Sequence, residues 1–257
     1  MAKSKRTKIN LSKISTRPPD NYDKDKIKKA TAKMAKEIAD LHEDMIAEGK
    51  RSLLIVFQGM DSSGKDGATK KVFKYCPPLN LSAYSFKKPT KEEMNHDFLW
   101  RAHKQTPGKG AIQVFNRSYY EDILIQRVHS WITEAHVKKR MAAINAFEEL
   151  LTFDNNTTVL KFYMHLSKER QLEKLQERID DPSKNWKHNP GDWEERKHWE
   201  EYRKAYEYAI NNSTIPWIIA PVDSRSYRNY FITKEVLKVM KRWKMERPVL
   251  EDAEKGA

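Results

Sequence analysis

"LLIVFQGMDSSGKDGATKKVF", residues 53–73, decides the fold. The run "SLLIVFQG" shows no polar alternation, so it reads as a strand buried on both faces, the kind found in parallel sheets. "GATKKVFKYC" reads as a helix. Between them, "GMDSSGK" matches the G-x-x-x-x-G-K spacing with Gly59, Gly64 and Lys65. Glycines at those places let successive backbone N–H groups wrap a phosphate chain, and the lysine neutralises it. The N-terminus of the following helix adds its dipole. A strand before and a helix after are the context such a loop requires. Gly59, Met60, Asp61, Ser62, Ser63, Gly64, Lys65, Asp66 and Gly67 are therefore candidate phosphate contacts.

Two aspartates sit in or beside this cradle. Asp66 stands where Ser or Thr usually presents a hydroxyl to Mg²⁺. A carboxylate next to phosphate oxygens is repulsive unless a cation lies between them. Unit charges about 4 Å apart interact by roughly 4 kcal/mol at an effective dielectric of 20. At least one acid is therefore expected to share a divalent ion with phosphate. Asp61, inside the loop, is the better placed; Asp66 is expected to cap the helix that follows. An acid so close to the donor also implies that an acceptor phosphate approaches Asp61.

Working outward, strands and helices alternate. Helical text runs from Lys24 to about Ala47. "SAYSF", "AIQVF", "TTVLKFYMHL" and "WIIAPV" add four strands, and "SYRNYFITKEVLKVMKRWK" is a closing helix. "KEEMNHDFLWRAHKQT" is expected to be one helix, with Thr90 and Glu93 in a capping box. Helical text also runs from Tyr119 to about Leu151. This alternation predicts an α/β fold: an open, mostly parallel five-stranded sheet with helices on both faces. Ligands then bind beyond the C-terminal strand ends, which selects Gly59, Asn116 and His165 onward. At the second of these, "NRSYYED" offers Arg117, a fork for phosphoryl oxygens. Glu121 and Asp122 follow on the first helical turn, where acids also suit the helix dipole. Tyr119 and Tyr120 read as packing residues.

Residues 166–213 break the alternation with polar helical text around the turn-rich "DDPSKNWKHNPGDW", and read as a lid over the sheet's open end. Arg170, Lys174 and Arg178 recur every four residues as a basic stripe. Leu172, Leu175 and Ile179 are expected to be the buried face. The stripe can clamp a phosphate chain, or pair with Glu173 and Glu177. Lys184, Trp186 and Lys187 extend the same track.

Composition narrows the class. Net charge is +13 over 257 residues, which favours a polyanionic partner. Cys76 has no second cysteine to pair with, and no apolar stretch reads as a signal or a membrane span, so a cytoplasmic chain without a membrane partner is expected. Residues 1–22, with Pro18, Pro19 and many lysines, read as a loosely docked basic arm, and 23–257 as the folded domain. The eight histidines show no metal-ligand spacing.

The motifs "VFQGMDSSGKDG", "HDFLWR", "FNRSYYED", "VLKFYMHLSKER" and "NWK…GDWEERKHWEEYRKAYE" together resemble the family-2 polyphosphate kinases, from about Lys50 to Lys244. The resemblance implies a thymidylate-kinase-like P-loop kinase, a three-layer sandwich with a helical lid. It implies Mg²⁺-dependent, reversible transfer of a phosphoryl group between inorganic polyphosphate and nucleotides, ADP and AMP as acceptors. "FNRSYYED", with Asn116 before the arginine, looks most like members that use both. By the same resemblance Asp61, Lys65, Arg117, Asp122 and Arg178 are catalytic, and Asp61, Asp122 and Glu121 hold metal. Asn116, Glu121, Arg170 and Lys187 join the phosphate and nucleotide contacts. A homo-oligomer without nucleic acid is expected. An ATP-dependent nucleoside monophosphate kinase and a P-loop nucleic-acid-binding module are the alternatives.

Overall fold

Five strands form one parallel sheet in the order β2-β3-β1-β4-β5: β1 (Ser52–Gln58), β2 (Leu81–Ser85), β3 (Ile112–Asn116), β4 (Thr157–His165) and β5 (Trp217–Pro221). The computed structural model describes residues 7–249. Residues 1–6 of the expected arm and 250–257 of the expected folded domain lie outside the described residues. The helices are α1 (Lys24–Glu48), α2 (Lys65–Val72), α3 (Lys91–Met94), α4 (Trp100–His103), α5 (Ile125–Val128), α6 (Glu134–Asn155), α7 (Lys168–Asp180), α8 (Pro190–Lys197), α9 (Trp199–Asn212) and α10 (Arg225–Met240).

The unbroken apolar run of β1 is explained by two cores. Leu53, Ile55 and Phe57 face one cluster with Ile38, Val72 and Val236 from α1, α2 and α10. Leu54 and Val56 face the other, with Phe115, Phe147 and Tyr206. Alternate side chains leave a strand on opposite faces, so a strand covered on both sides must be apolar throughout. This is the three-layer P-loop kinase architecture. Central β1 pairs with β3 and β4, with Phe57 opposite both Asn116 and Phe162, so the three strand ends that carry motifs converge. Among the described residues, no helix is long and apolar enough to cross a membrane.

Three local expectations are corrected. The helix expected after Thr90 is split into α3 and α4, because the Asp97 carboxylate accepts the Leu99 N–H at 2.9 Å and turns the chain. Its capping box is present. The helix expected from Tyr119 is a 3-10 turn (Tyr119–Ile123), then α5, then α6, with a break at Ser130 (φ 56°) and a new cap at Thr133. The lid holds α7, α8 and α9 with a 3-10 turn (Pro182–Lys187). Of its expected apolar face only Leu175 is buried; Leu172 and Ile179 are 43% and 46% exposed. The strip of α7 that meets the core is Gln171 and Leu175, rotated from the one the leucines suggested.

The described part of the arm is docked, not loose. Leu11 is buried. Its N–H donates to Glu207 Oε1 (2.8 Å), and Asn211 bonds the backbone of Ile9 in both directions. His165 Nε2 meets the Ile14 carbonyl at 3.0 Å, and Thr16 Oγ1 donates to Asp223 (2.7 Å). The same Asp223 accepts the N–H of Ser167, the cap of α7. The arm thus straps the last lid helix to the sheet end and to the lid's first residue.

Beneath the 3-10 turn lies a fully buried ion pair. Lys161 Nζ on β4 donates to Glu148 Oε2 on α6 at 2.5 Å, and to Tyr120 Oη at 2.7 Å. Tyr119 and Tyr120 both donate to Glu148 Oε1 at 2.9 Å. Removing one member strands a charge in the core, which costs more than the pair contributes. Lys161→Met is expected to lower the unfolding free energy by about 3 kcal/mol, read by urea denaturation. A loss below about 1 kcal/mol would mean that Glu148 is held neutral without its partner.

Candidate active site

The loop after β1 has the shape its glycines require. A Cβ at Gly59 would lie 2.8 Å from the Met164 carbonyl oxygen on β4, so the loop's entry admits no side chain. The chain then passes through Ser62 (φ 66°) and Gly64 (φ 88°) into α2. Ser63 is buried and its N–H returns to the Met60 carbonyl at 3.2 Å. Lys65 folds back over the loop, donating to the carbonyls of Gly59 (2.9 Å) and Met60 (3.3 Å) and to Ser63 Oγ (3.4 Å). Burial pushes its pKa down. Its hydrogen bonds go to neutral acceptors, while the carboxylates of Asp61, Glu121 and Asp66 act on its charge from a distance.

Asp61 sits where two clefts meet, one basic and one small. Arg117 donates to its carboxylate and lies 3.7 Å from Glu121. Burial pushes the Asp61 carboxyl up, but the charges of Arg117 and Lys65 outweigh it and hold it below its ordinary value. Asp61 is therefore ionised. Glu121, and then Asp61, in turn push the Arg117 guanidinium up despite its burial. Arg117 itself has a left-handed backbone (φ 59°). That conformation costs a side-chain-bearing residue about 1 kcal/mol, and it aims the guanidinium at the loop. The small cleft is lined by Met60, Asp61, Arg117, Glu121, Glu195, Tyr202 and Tyr206 among others.

Asp66 does not cap α2. Gly64 is the cap residue and no side chain caps it; the Asp66 carboxylate accepts the Asn116 amide instead. Asn116 stands at the end of β3, where P-loop proteins often carry a metal-holding acid. Here its amide ties the second loop aspartate to the strand.

Asp122 is not brought to the loop. Its carboxylate is buried, paired with Arg101 at 3.3 Å, and accepts the Gln126 amide at 2.7 Å. Burial, only partly offset by Arg101 and Arg140, pushes its pKa up. On a 3-10 turn, neighbouring residues leave in different directions; Glu121 faces Arg117 and Asp122 faces the core. Of the two acids expected to join Asp61, Glu121 shares a cleft with it and Asp122 does not.

The lid also redistributes roles. Lys174 reaches down to the Ser62 carbonyl (3.2 Å) and lines the basic cleft. Burial, with Arg228 and Arg170 nearby, pushes its pKa to about 8. Arg178 lines the same cleft while bonding Asp192 (2.5 Å) and the Lys187 carbonyl (3.0 Å). Lys187 lies at the rim with its ammonium 4.8 Å from the Trp186 ring. Arg170 lies outside the cleft, paired with Glu173 and, at 3.7 Å, with Glu177.

Sequence reasoning missed Arg228. A Cβ at Gly64 would fall 1.8 Å from its Nη1, and one at Gly67 2.9 Å from its Nη2. The guanidinium thus occupies the space those glycines leave empty. It is 4% exposed, bonds Asn229 Oδ1, and pairs with no carboxylate among the described residues. Burial, and then Arg225, pushes its pKa to about 10. "SYRNYF" gave no local signal, because only the packing of α10 on α2 brings this arginine to the loop. The completed cleft encloses about 720 Å³, lined by ten basic side chains against three carboxylates.

Among the described residues no three His, Cys, Asp or Glu side chains converge as a metal cage. Mg²⁺ is bound in another way in phosphoryl-transfer sites, through one or two carboxylates and the substrate's own phosphates. An ionised Asp61 beside a cationic cleft, with Asp66 and Glu121 close by, fits that mode.

The sequence profile of polyphosphate kinase 2 matches residues 21–248. An AMP/ADP-polyphosphate phosphotransferase of Meiothermus ruber is 39% identical, covering 87% of this chain and 85% of its own length. An ADP-polyphosphate phosphotransferase of Rhodopseudomonas palustris is 34% identical over 94% and 89%. The crystal structure of polyphosphate kinase 2 from Arthrobacter aurescens superposes with a TM-score of 0.91 at 35% identity, covering 96% of this chain and 91% of that one. With the phosphate loop, Arg117 and the lid arranged as described, the chain belongs to the polyphosphate kinase 2 family.

Proposed function

We propose that this phosphotransferase moves the terminal phosphoryl group of inorganic polyphosphate to ADP and to AMP, reversibly and with Mg²⁺. The observation that carries this reading is the position of Asp61 and Arg117 between an extended cationic cleft and a small one. The cationic cleft suits a donor that is all phosphate. The small cleft, with Asp61, Glu121 and Glu195 against Arg117, would take the phosphate end of a nucleotide with a cation beside those acids. The name of the Meiothermus relative supports both acceptors. Placement in the cytoplasm and assembly as a homo-oligomer belong to the same proposal, the first resting on a lone cysteine.

The acceptor oxygen is already a phosphate anion, so no strong general base is required. Alignment and charge neutralisation are what the residues supply. Lys65 and the loop N–H groups receive the transferring phosphoryl. Arg117 can reach oxygens on both substrates from its place between the clefts. Arg178, Lys174 and Arg228 neutralise the donor's remaining charge from the lid and α10. Bound Mg²⁺ would neutralise and align phosphate oxygens, with Asp61 and either Glu121 or Asp66 as its protein ligands.

Asp61→Asn and Lys65→Ala are each expected to lower kcat at least about 100-fold, as loss of a single transition-state contact does, with the thermal midpoint preserved. The assay is AMP with polyphosphate and no ATP. Absence of ADP from the wild-type reaction would return the chain to an ATP-dependent kinase. Near-normal rates in both variants would remove the loop from the chemistry.

Lys174 gives a pH dependence with a definite sign. Its ammonium is charged below about pH 8 and loses charge above it. kcat/KM for polyphosphate is expected to fall as pH rises through about 8. The unfolded chain keeps this proton up to the ordinary lysine value, so Lys174's own contribution to stability rises over that window, and unfolding driven by this group cannot cause the fall. Lys174→Arg should carry activity to higher pH; coincident profiles would show that Lys174 does not hold the donor.

A further inference from the structure

The basic cleft does not end at the phosphate loop. A groove of about 180 Å³ runs on from it between α1 and the end of α2, sharing Lys71 and Asn229 with the cleft. Thr31, Ala32 and Ala35 of α1 line it, and their short side chains leave it open. Lys28, Lys74 and the part-exposed ring of Tyr75 line it as well. The ammonium groups of Lys36 and Lys74 lie 5.7 Å and 4.9 Å from the Tyr75 ring centre, which gathers both at one end.

No carboxylate lines this groove. Among the described residues Lys36, Lys71 and Lys74 make no ion pair, and Lys28 pairs only with exposed Asp25. Two pairs nearby take other lysines: Lys241 at the end of α10 meets Glu37 of α1, and Lys238 meets Glu235 within α10. Unpaired like charges crowded on one face repel one another, a cost that a polyanion removes. The kind of cation also changes along the path. Arginine forks, which fix a phosphoryl group, cluster at the loop; the groove carries lysines only, which attract phosphate without fixing its orientation.

We infer that this groove is a distal subsite for the polyphosphate donor, holding phosphates remote from the one transferred. The inference rests on the donor reading above. A long chain fills loop, cleft and groove; a short one ends before the groove.

The test is the triple variant Lys28→Ala/Lys36→Ala/Lys74→Ala, assayed with long-chain polyphosphate and with tripolyphosphate. KM for the long chain is expected to rise roughly tenfold and its salt dependence to flatten. KM and kcat with tripolyphosphate should stay within about twofold, which also shows that the variant is folded. Equal changes for both donors, or none for either, would overturn the subsite. If the unmodified enzyme turns over neither donor, the donor reading falls, and the subsite with it. Single-stranded DNA competing as strongly as long polyphosphate at equal ionic strength would reassign the groove to nucleic acid and overturn the inference.

Discussion

A carboxylate inside a phosphate loop is stable only while cations surround it, and the contact between Asp61 and Arg117 satisfies that condition here. Arg117 holds Asp61 ionised, while Glu121 and Asp61 together hold Arg117 charged. The triad carries a net charge of −1, so it can sit between two anionic substrates only with a further cation beside it, Lys65 or a bound Mg²⁺. The other cations of the cleft lie on the donor side of this pair.

That arrangement depends on a backbone under strain at Arg117 and on the turn that follows it. The turn is held from below by the buried Lys161–Glu148 pair and the two tyrosine hydroxyls bound to it. A buried ion pair adds little net stability, but it tolerates few alternative geometries. Its position under the site suggests why an apolar substitute would serve less well: Tyr119 and Tyr120 are fixed by directional bonds, and the chain on either side of them carries Arg117 and Glu121.

The strands, their parallel direction and the phosphate loop were legible from local patterns and their alternation with helices. β1 is apolar on both faces, and the loop's glycines are spaced for backbone contact. The assignments that failed depend on non-local geometry. Asp122 and Glu121 are adjacent in sequence, and only a 3-10 turn decides which one meets the core. Leu172 and Ile179 look like a buried face until α7 is rotated on the sheet. Arg228 enters the site from α10, which packs on α2, and Leu11 joins the core from a segment rich in charge and proline. The polar residues of α7 behaved likewise: Arg170 pairs on the surface, whereas Lys174, one turn later, reaches the loop.

The strap formed by residues 9–16 has a mechanical consequence. Both roots of the lid are anchored, Ser167 through Asp223 and α9 through Glu207 and Asn211. The lid is thus tied to the core at both ends, and the turn Pro182–Lys187 is its far tip. Lys184 and Lys187 at that tip line the basic cleft and not the small one, so any displacement of the tip alters the charge facing the polyanion and leaves the small cleft's walls in place.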